Sequence, residues 1–135
     1  MNDFEHERLD AYRATIEFLV AADEIAASLT KGRACLVDQL RRAATSIALN
    51  TAEGAGEFSP GDKARFYRMA RRSGTECAAI LDACRVTNLA DSDLLSRGRT
   101  LLPRMVAMPT ALVLHLNDSG SGSNLSGYEL AGSCT

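Results

Sequence analysis

The stretch QLRRAATSIALNTAEGAGEFSP, residues 39–60, decides the fold. Around its first half, apolar residues recur every three or four positions, the spacing of one face of an α-helix. That face carries Leu36, Leu40, Ala43, Ile47 and Thr51. The glycines at 54 and 56 then end the helix, and Ser59 and Pro60 begin the next one, because serine caps a helix and proline fits the first helical position. The stretch therefore predicts two helices joined by a short turn.

The remainder of the chain shows the same helical spacing. We predict four helices, over about residues 6–29, 34–53, 60–88 and 92–116. Gly32 is expected to end the first helix, and Asp91 or Ser92 to cap the last one. Pro103 and Pro109 fall inside the fourth helix, where each removes a backbone hydrogen bond, so we expect a kink or a break before Pro109.

The chain of 135 residues has the length of one domain. We predict an all-α bundle over residues 1–116 and a disordered tail over residues 117–135, which are rich in serine and glycine. No run reaches the about 18 apolar residues that a membrane helix requires. The acidic, polar beginning MNDFEHERLD is unlike a secretion signal. These features predict a cytoplasmic protein that does not contact a membrane.

The four cysteines are Cys35, Cys77, Cys84 and Cys134, and none forms a CxxC pair. With two histidines in the chain, a zinc site, which needs ligands at short spacing, is not expected. Cys77 and Cys84 lie on one predicted helix face and should fill core space as reduced thiols. We therefore predict no metal and no cofactor.

Charge is divided unevenly along the chain. Residues 1–30 carry seven acids and two arginines, whereas residues 33–72 carry eight basic and four acidic residues. The basic candidates for binding a partner are Arg41, Arg42, Lys63, Arg65, Arg68, Arg71 and Arg72. Three interpretations stay open: contact with nucleic-acid phosphates, a solvated face with local ion pairs, or contact with the acidic first helix of another copy. No aromatic residue interleaves this stripe, so any nucleic-acid binding should be directed at the backbone.

The first helix is apolar on two sides. One side carries Leu9, Tyr12, Ile16, Leu19 and Val20, and the nearly opposite side carries Phe18, Ala22, Ile25 and Leu29. A small bundle offers one core, and large exposed apolar patches are uncommon on monomers. We therefore predict a homo-oligomer and assign the side with Phe18, Ala22, Ile25 and Leu29 to the interface. The alternative is an unusually deep helix in a monomer.

Polar residues flank the apolar seam of the second helix. We predict that they form a structural cluster with polar residues of the third helix. The cluster consists of Gln39, Ser46, Asn50, Glu53, Ser73 and Glu76. One carboxylate without a placed base, nucleophile or metal is not a catalytic site, so no enzymatic activity is expected.

The segments QLRRAATSIALNTAEGAG and FYRMARRSGTECAAILD together resemble the 23S rRNA intervening-sequence family of four-helix-bundle proteins. The family's motif maps onto Gln39 to Gly54 and then onto Phe66, Ser73, Glu76 and Leu81. The opening LDAYRATIEFLV also matches its usual first helix. Ala48 departs from the pattern, because proline is common there, so we expect the second helix to be straighter in this chain.

This resemblance implies an antiparallel up-down-up-down bundle that assembles into a ring, a homopentamer in known members. It implies no established enzymatic activity, and it suggests nucleic-acid binding. A similar pentameric bundle is the accessory subunit of diversity-generating retroelement reverse transcriptases. We therefore predict a non-enzymatic scaffold or adaptor that contacts RNA or DNA through its arginine-rich face. The alternative is an accessory subunit of a reverse transcriptase or another protein partner.

Overall fold

The computed structural model describes residues 3–29 and 32–119. They form four helices: α1 (Asp3–Ser28), α2 (Ala34–Gly56), α3 (Pro60–Val86) and α4 (Ser92–Ser119). The described ranges contain no strand, so the all-α prediction with four helices is confirmed. None of these helices is long and apolar enough to cross a membrane. Helix α4 continues past the predicted boundary at residue 116, and residues 120–135 of the predicted tail lie outside the described residues.

The helix ends follow the turn residues. The Ser59 hydroxyl oxygen accepts a hydrogen bond from the backbone N–H of Asp62 at 3.1 Å, which caps α3 as predicted. Of the two residues predicted to cap α4, Asp91 does so, because its carboxylate accepts from two backbone N–H groups of the first turn at 3.0 Å. Gly32 has a positive φ of 93°, but α1 already ends at Ser28, so Gly32 lies in the turn before α2 and does not end α1 as predicted.

Helix α4 runs without a break through Pro103 and Pro109. Of the two predicted outcomes, the break before Pro109 is therefore wrong, and the kink stays a prediction. The apolar face of α4 explains the continuity: Met105 and Leu112 are buried on either side of Pro109, and their packing offsets the lost backbone hydrogen bonds. Pro109 is itself buried in this face.

Each helix packs against two neighbours: α1 and α3 both contact α2 and α4. The main core joins all four helices and includes Phe18, Ile25, Leu40, Ile47, Leu81, Cys77 and Cys84. A smaller core lies at the end of the bundle where α1 and α3 begin, around Tyr67 and Leu112. The apolar face predicted for α2 therefore points into the protein, as do Cys77 and Cys84 of α3.

The two sides of α1 are the reverse of the prediction. Phe18, Ala22 and Ile25 are fully buried in the core of one chain, and Leu29 is half-buried against the same core. They are not available for an interface between copies, so that assignment is corrected. The other side forms an exposed apolar stripe, hereafter the α1 stripe. It consists of Leu9 (36% exposed), Tyr12 (40%), Ile16 (38%) and Val20 (56%).

Candidate functional site

Three of the predicted basic residues have acidic partners. The Arg41 guanidinium lies 2.9 Å from the Asp23 carboxylate and joins α2 to α1. Arg42 lies 3.4 Å from Asp38, one helical turn away in α2. Arg65 lies 3.9 Å from Asp62 in the first turn of α3. These pairs are exposed, and each contributes about 0–1 kcal/mol. They support the interpretation of local ion pairs for this part of the basic set.

Two further basic side chains turn inward. Lys63 donates hydrogen bonds to the backbone carbonyls of Gly54 and Ala55 at 3.4 and 3.1 Å, and so caps the end of α2. Burial, and to a lesser degree the nearby Arg8, lower the pKa of Lys63. Arg68 is half-buried, and its Nη1 atom has no hydrogen-bond partner among the described residues.

The remaining two, Arg71 and Arg72, are exposed on α3. No described residue forms an ion pair with Arg71. Arg65, Arg71 and Arg72 are exposed, so an external anion can reach these guanidiniums, including that of Arg65 beside Asp62. The Arg65 guanidinium also stacks over the Phe66 ring, 5.0 Å from its centroid.

The predicted polar cluster is smaller than expected. The Ser73 hydroxyl donates to the Ser46 hydroxyl at 2.8 Å, and the Asn50 amide donates to the same oxygen at 2.9 Å. These three half-buried side chains tie α3 to α2, and they satisfy one another's hydrogen-bonding capacity. They line a groove of about 480 Å³ between the two helices, in which Glu76 lies at the edge.

The other two predicted members are not brought into this cluster. Gln39 approaches the sulfur of Cys35 on its own helix at 3.7 Å. Glu53 is exposed and lines a separate groove along α2, next to Leu49 and Asn50. A helical wheel shows the direction in which a side chain points but not its position along the helix axis. It therefore placed Gln39 and Glu53 near the apolar seam of α2 without showing whether residues of α3 lie at the same level.

A second groove lies between the start of α1 and the end of α2, and sequence reasoning missed it. It encloses about 660 Å³ and is lined by Leu9, Tyr12, Thr51, Ala52 and Ala55, with Arg8 and Glu5 as its charged residues. Leu9 and Tyr12 also belong to the α1 stripe. The apolar side of α1 that carries Leu9 and Tyr12 was visible in the sequence. The other wall of the groove comes from α2 and depends on how the two helices pack, which the sequence does not show.

A sequence model of the 23S rRNA-intervening sequence protein family matches residues 7–110. This match covers α2 and α3 completely and most of α1 and α4. The chain belongs to this family. The matched region of this intervening-sequence family member contains the cluster of Ser46, Asn50 and Ser73 and all seven predicted basic residues. No curated protein matches the chain in sequence.

The thiols of this family member are poor nucleophiles where they are buried. Burial raises the pKa of Cys77 to about 12, with a smaller contribution from Glu76, and it also raises the pKa of Cys84. Thiolate is the reactive form, so neither cysteine is activated at neutral pH. Cys35 is exposed. Within residues 3–29 and 32–119, no three His, Cys, Asp or Glu side chains are grouped closely enough to hold a metal ion.

Proposed function

We propose that the protein is a non-enzymatic scaffold that assembles with copies of itself into a ring and holds nucleic acid by its backbone. The observation that carries this proposal is the α1 stripe. Its four large side chains lie on one side of α1, opposite the buried Phe18 and Ile25. Covering them with another copy removes apolar surface from water, which is favourable by about 25 cal/mol per Å².

A surface that fits the stripe lies on α2 and α3. Leu49 and Met69 are large apolar side chains that are exposed on this surface. The exposed Arg41 and Arg42 line one groove with Leu49 on α2, whereas Asp10 and Glu17, with Arg13 beside them, flank the stripe on α1. An apolar centre with opposite charges at its edges favours a defined docking orientation. We therefore propose that the α1 stripe of one copy binds the α2–α3 surface of the next.

These two surfaces differ, so the contact runs head to tail and closes a ring if the angle permits. We propose that neighbouring helices are antiparallel, since the start of α1 and the end of α2 line one groove, and Arg41 near the start of α2 meets Asp23 near the end of α1. On such a bundle the two surfaces point about 90–135° apart, which closes a ring of about four to eight copies. The five copies implied by the family resemblance fall within this range.

The ring would repeat the exposed arginines of α3 once per copy. Each phosphate that an arginine neutralises releases condensed counterions, so several weak contacts add up to useful affinity. The hydrogen bonds within the polar cluster and the raised pKa of Cys77 support a scaffold rather than an enzyme. The role as an accessory subunit of a reverse transcriptase stays a prediction.

The nucleic-acid contact is tested with the variant Arg65→Ala/Arg71→Ala/Arg72→Ala. Because three phosphate contacts per copy are lost, we expect weaker binding to a fluorescent single-stranded oligonucleotide and a shallower dependence of log Kd on log salt concentration. Fluorescence anisotropy over a salt series measures both.

The matched control, Arg97→Ala/Arg99→Ala/Arg104→Ala, removes the same charge from α4. It should bind more tightly than the α3 variant. Equal affinity of the α3 variant and the unchanged protein, or equal losses in both triple variants, would reject the α3 face.

A further inference from the structure

The turn between α2 and α3 carries the most exposed large apolar side chain among the described residues. Phe58 is 99% exposed, whereas the four side chains of the α1 stripe are 36–56% exposed. Apolar surface left in water is unfavourable in proportion to its area. A partner that covers one face of this phenyl group therefore binds with a gain in free energy.

The turn holds Phe58 in a fixed position. On one side, the backbone N–H of Glu57 donates to the carbonyl of Glu53 at 3.1 Å. On the other side, the backbone N–H of Lys63 donates to the carbonyl of Ser59 at 3.0 Å, and the Ser59 hydroxyl caps α3. Glu57 and Ser59 both have an extended backbone, and the phenyl group between them projects into water. A side chain on a fixed turn loses little conformational entropy when it binds.

Positive charge follows Phe58 along the chain. Residues 57–72 carry five basic side chains and two acidic ones, an excess of three positive charges. Both acids have basic neighbours. Asp62 lies 3.9 Å from Arg65. Burial lowers the pKa of Lys63, and the nearby Glu57 acts in the opposite direction. This excess of positive charge favours an anionic partner.

Arg65 is the first exposed basic residue after Phe58. It lies five residues beyond Pro60, the first residue of α3, and therefore about 7.5 Å along the helix axis. Successive nucleotides of a stacked strand are about 3.4 Å apart, so this distance corresponds to about two nucleotides. The Arg65 guanidinium is exposed, although it also contacts Asp62 and the Phe66 ring. A strand with one base on Phe58 can thus place a phosphate at Arg65.

A single exposed phenyl group near exposed arginines fits a nucleobase better than a protein surface. Protein interfaces have a contiguous apolar centre, whereas the residues beside Phe58 are Glu57 and Ser59. Met69, the next exposed large apolar side chain of α3, lies about 13 Å from the start of this helix. Base stacking requires one aromatic face with basic residues nearby for the phosphates. The base must be unpaired, because stacking between base pairs covers its faces in a duplex.

We propose that Phe58 stacks on an unpaired base of single-stranded RNA or DNA whose phosphates contact Arg65 and the other exposed arginines of α3. This inference rests on the proposed nucleic-acid contact and adds a base contact to it. The arginines alone bind the backbone, and Phe58 lies in the turn before them. Each copy in the proposed assembly presents one Phe58, so one strand contacts several copies. Single strands are therefore preferred over a duplex.

Phe58→Ala tests the base contact. Stacking on an aromatic side chain strengthens binding about 5- to 150-fold per base, so the variant should bind a fluorescent oligothymidylate at least about fivefold more weakly. It should bind an abasic strand of the same length as tightly as the unchanged protein does. The slope of log Kd against log salt concentration should stay the same, because no phosphate contact is lost. Fluorescence anisotropy measures these values, and oligouridylate in place of oligothymidylate shows whether RNA is held in the same way.

Three further variants separate aromatic stacking from a general apolar contact. Phe58→Leu keeps an apolar side chain without an aromatic face, and it should bind oligothymidylate more weakly than the unchanged protein. Phe58→Trp keeps an aromatic face and should bind at least as tightly. Val86→Ala shortens an exposed apolar side chain at the last residue of α3 and should leave the affinity unchanged.

Phe58→Trp also reports stacking directly, because the chain contains no other tryptophan. Stacking on a base quenches indole fluorescence. Oligothymidylate should therefore quench the fluorescence of Phe58→Trp, whereas the abasic strand and a duplex should not. Val86→Trp, which places the indole at the far end of α3, should not be quenched by any of the three.

The results distinguish this inference from the proposed function. If oligothymidylate binds but Phe58→Ala keeps full affinity, loses affinity equally for the abasic strand, or Phe58→Trp is not quenched, the base contact is overturned while the backbone contact stands. If Phe58→Ala instead lowers the mass of the oligomer in sedimentation, Phe58 belongs to a contact between copies and the inference is overturned. If the unchanged protein binds none of these strands, the proposed nucleic-acid contact is rejected and the base contact with it.

Discussion

Gly54 sets the distance between α2 and α3. A Cβ at this position would lie 2.5 Å from Cε1 of Tyr67, whose ring is fully buried and cannot move aside. We expect Gly54→Ala to lower the free energy of unfolding by up to about 2 kcal/mol. Overpacking costs about 1–3 kcal/mol, and the higher helix propensity of alanine returns about 1 kcal/mol. Urea unfolding followed by circular dichroism measures the difference.

Gly56 provides the control for this substitution. It lies in the same last turn of α2, and a Cβ there would meet nothing within 4 Å. Gly56→Ala should leave stability unchanged or raise it by up to about 1 kcal/mol. If Gly54→Ala is as stable as Gly56→Ala, the close packing of Tyr67 on Gly54 is not present.

Because its thiols are buried, the free energy of unfolding of the protein depends on pH in the alkaline range. Burial raises the pKa of Cys77 from 9.0 to about 12 in the folded chain, whereas in the unfolded chain the thiol ionises near 9.0. The stabilisation by the neutral buried thiol is therefore complete below pH 9 and is lost as pH rises from 9 towards 12. We expect the free energy of unfolding to fall across this window by up to about 1.4 kcal/mol per pH unit for this thiol.

Cys77→Ala, compared with Cys35→Ser, isolates this contribution. Cys77→Ala should be less stable at neutral pH but lose stability less steeply above pH 9. Cys35 is exposed, so its replacement should leave the slope as it is. Identical slopes in both variants would show that Cys77 does not titrate in this way.

Some roles of single residues can be predicted from the sequence, and others cannot. The cap at Ser59 and the burial of Cys77 follow from local rules of helix capping and spacing. The pairing of Arg41 with Asp23 does not, because it joins two helices across 18 positions. Helix packing decides which arginines meet a carboxylate. The sequence therefore identifies the basic residues but does not show which of them form ion pairs.

At the scale of the helix, α1 shows that an apolar pattern does not determine which of two apolar sides is buried. Its two apolar sides were visible in the sequence, but the side assigned to another copy is the side in the core. The alanines explain the outcome: Ala14, Ala22 and Ala26 are buried beside Phe18. Small residues let neighbouring helices approach closely around one large side chain. A helical wheel counts apolar positions without regard to side-chain size, so it did not identify this side as the buried one.

The prolines of α4 give a prediction for that element. Pro103 is exposed inside a continuous helix, where it removes a backbone hydrogen bond without filling the core. We expect Pro103→Ala to raise the free energy of unfolding by about 1–3 kcal/mol, because it restores the bond and improves helix propensity. Thermal and urea unfolding both report this gain.

The same change at Pro60 serves as the control. Pro60 is the first residue of α3, where a helix tolerates proline, so Pro60→Ala should change stability by less than about 1 kcal/mol. A Pro103→Ala variant no more stable than Pro60→Ala would mean that α4 is already adapted to its proline.

At the scale of the whole molecule, the four helices and the buried face of α2 follow from the sequence, whereas the buried side of α1 and the grooves do not. The groove at Leu9 and Tyr12 takes its other wall from α2, about 40 positions away in the chain. Such a surface exists only after two helices pack. The outward side of α1 is nevertheless the feature on which the proposed assembly depends, because it leaves four large apolar side chains in water.

Sedimentation velocity at micromolar concentration tests this assembly most directly. One chain has a mass of 14.5 kDa, and we expect the protein to sediment as a single closed oligomer of about five chains. Ile16→Glu/Val20→Glu should reduce it to single chains, because charge would be buried in the contact. Val86→Glu, at an exposed position outside the stripe, should not. Unchanged protein that sediments at 14.5 kDa would contradict the account.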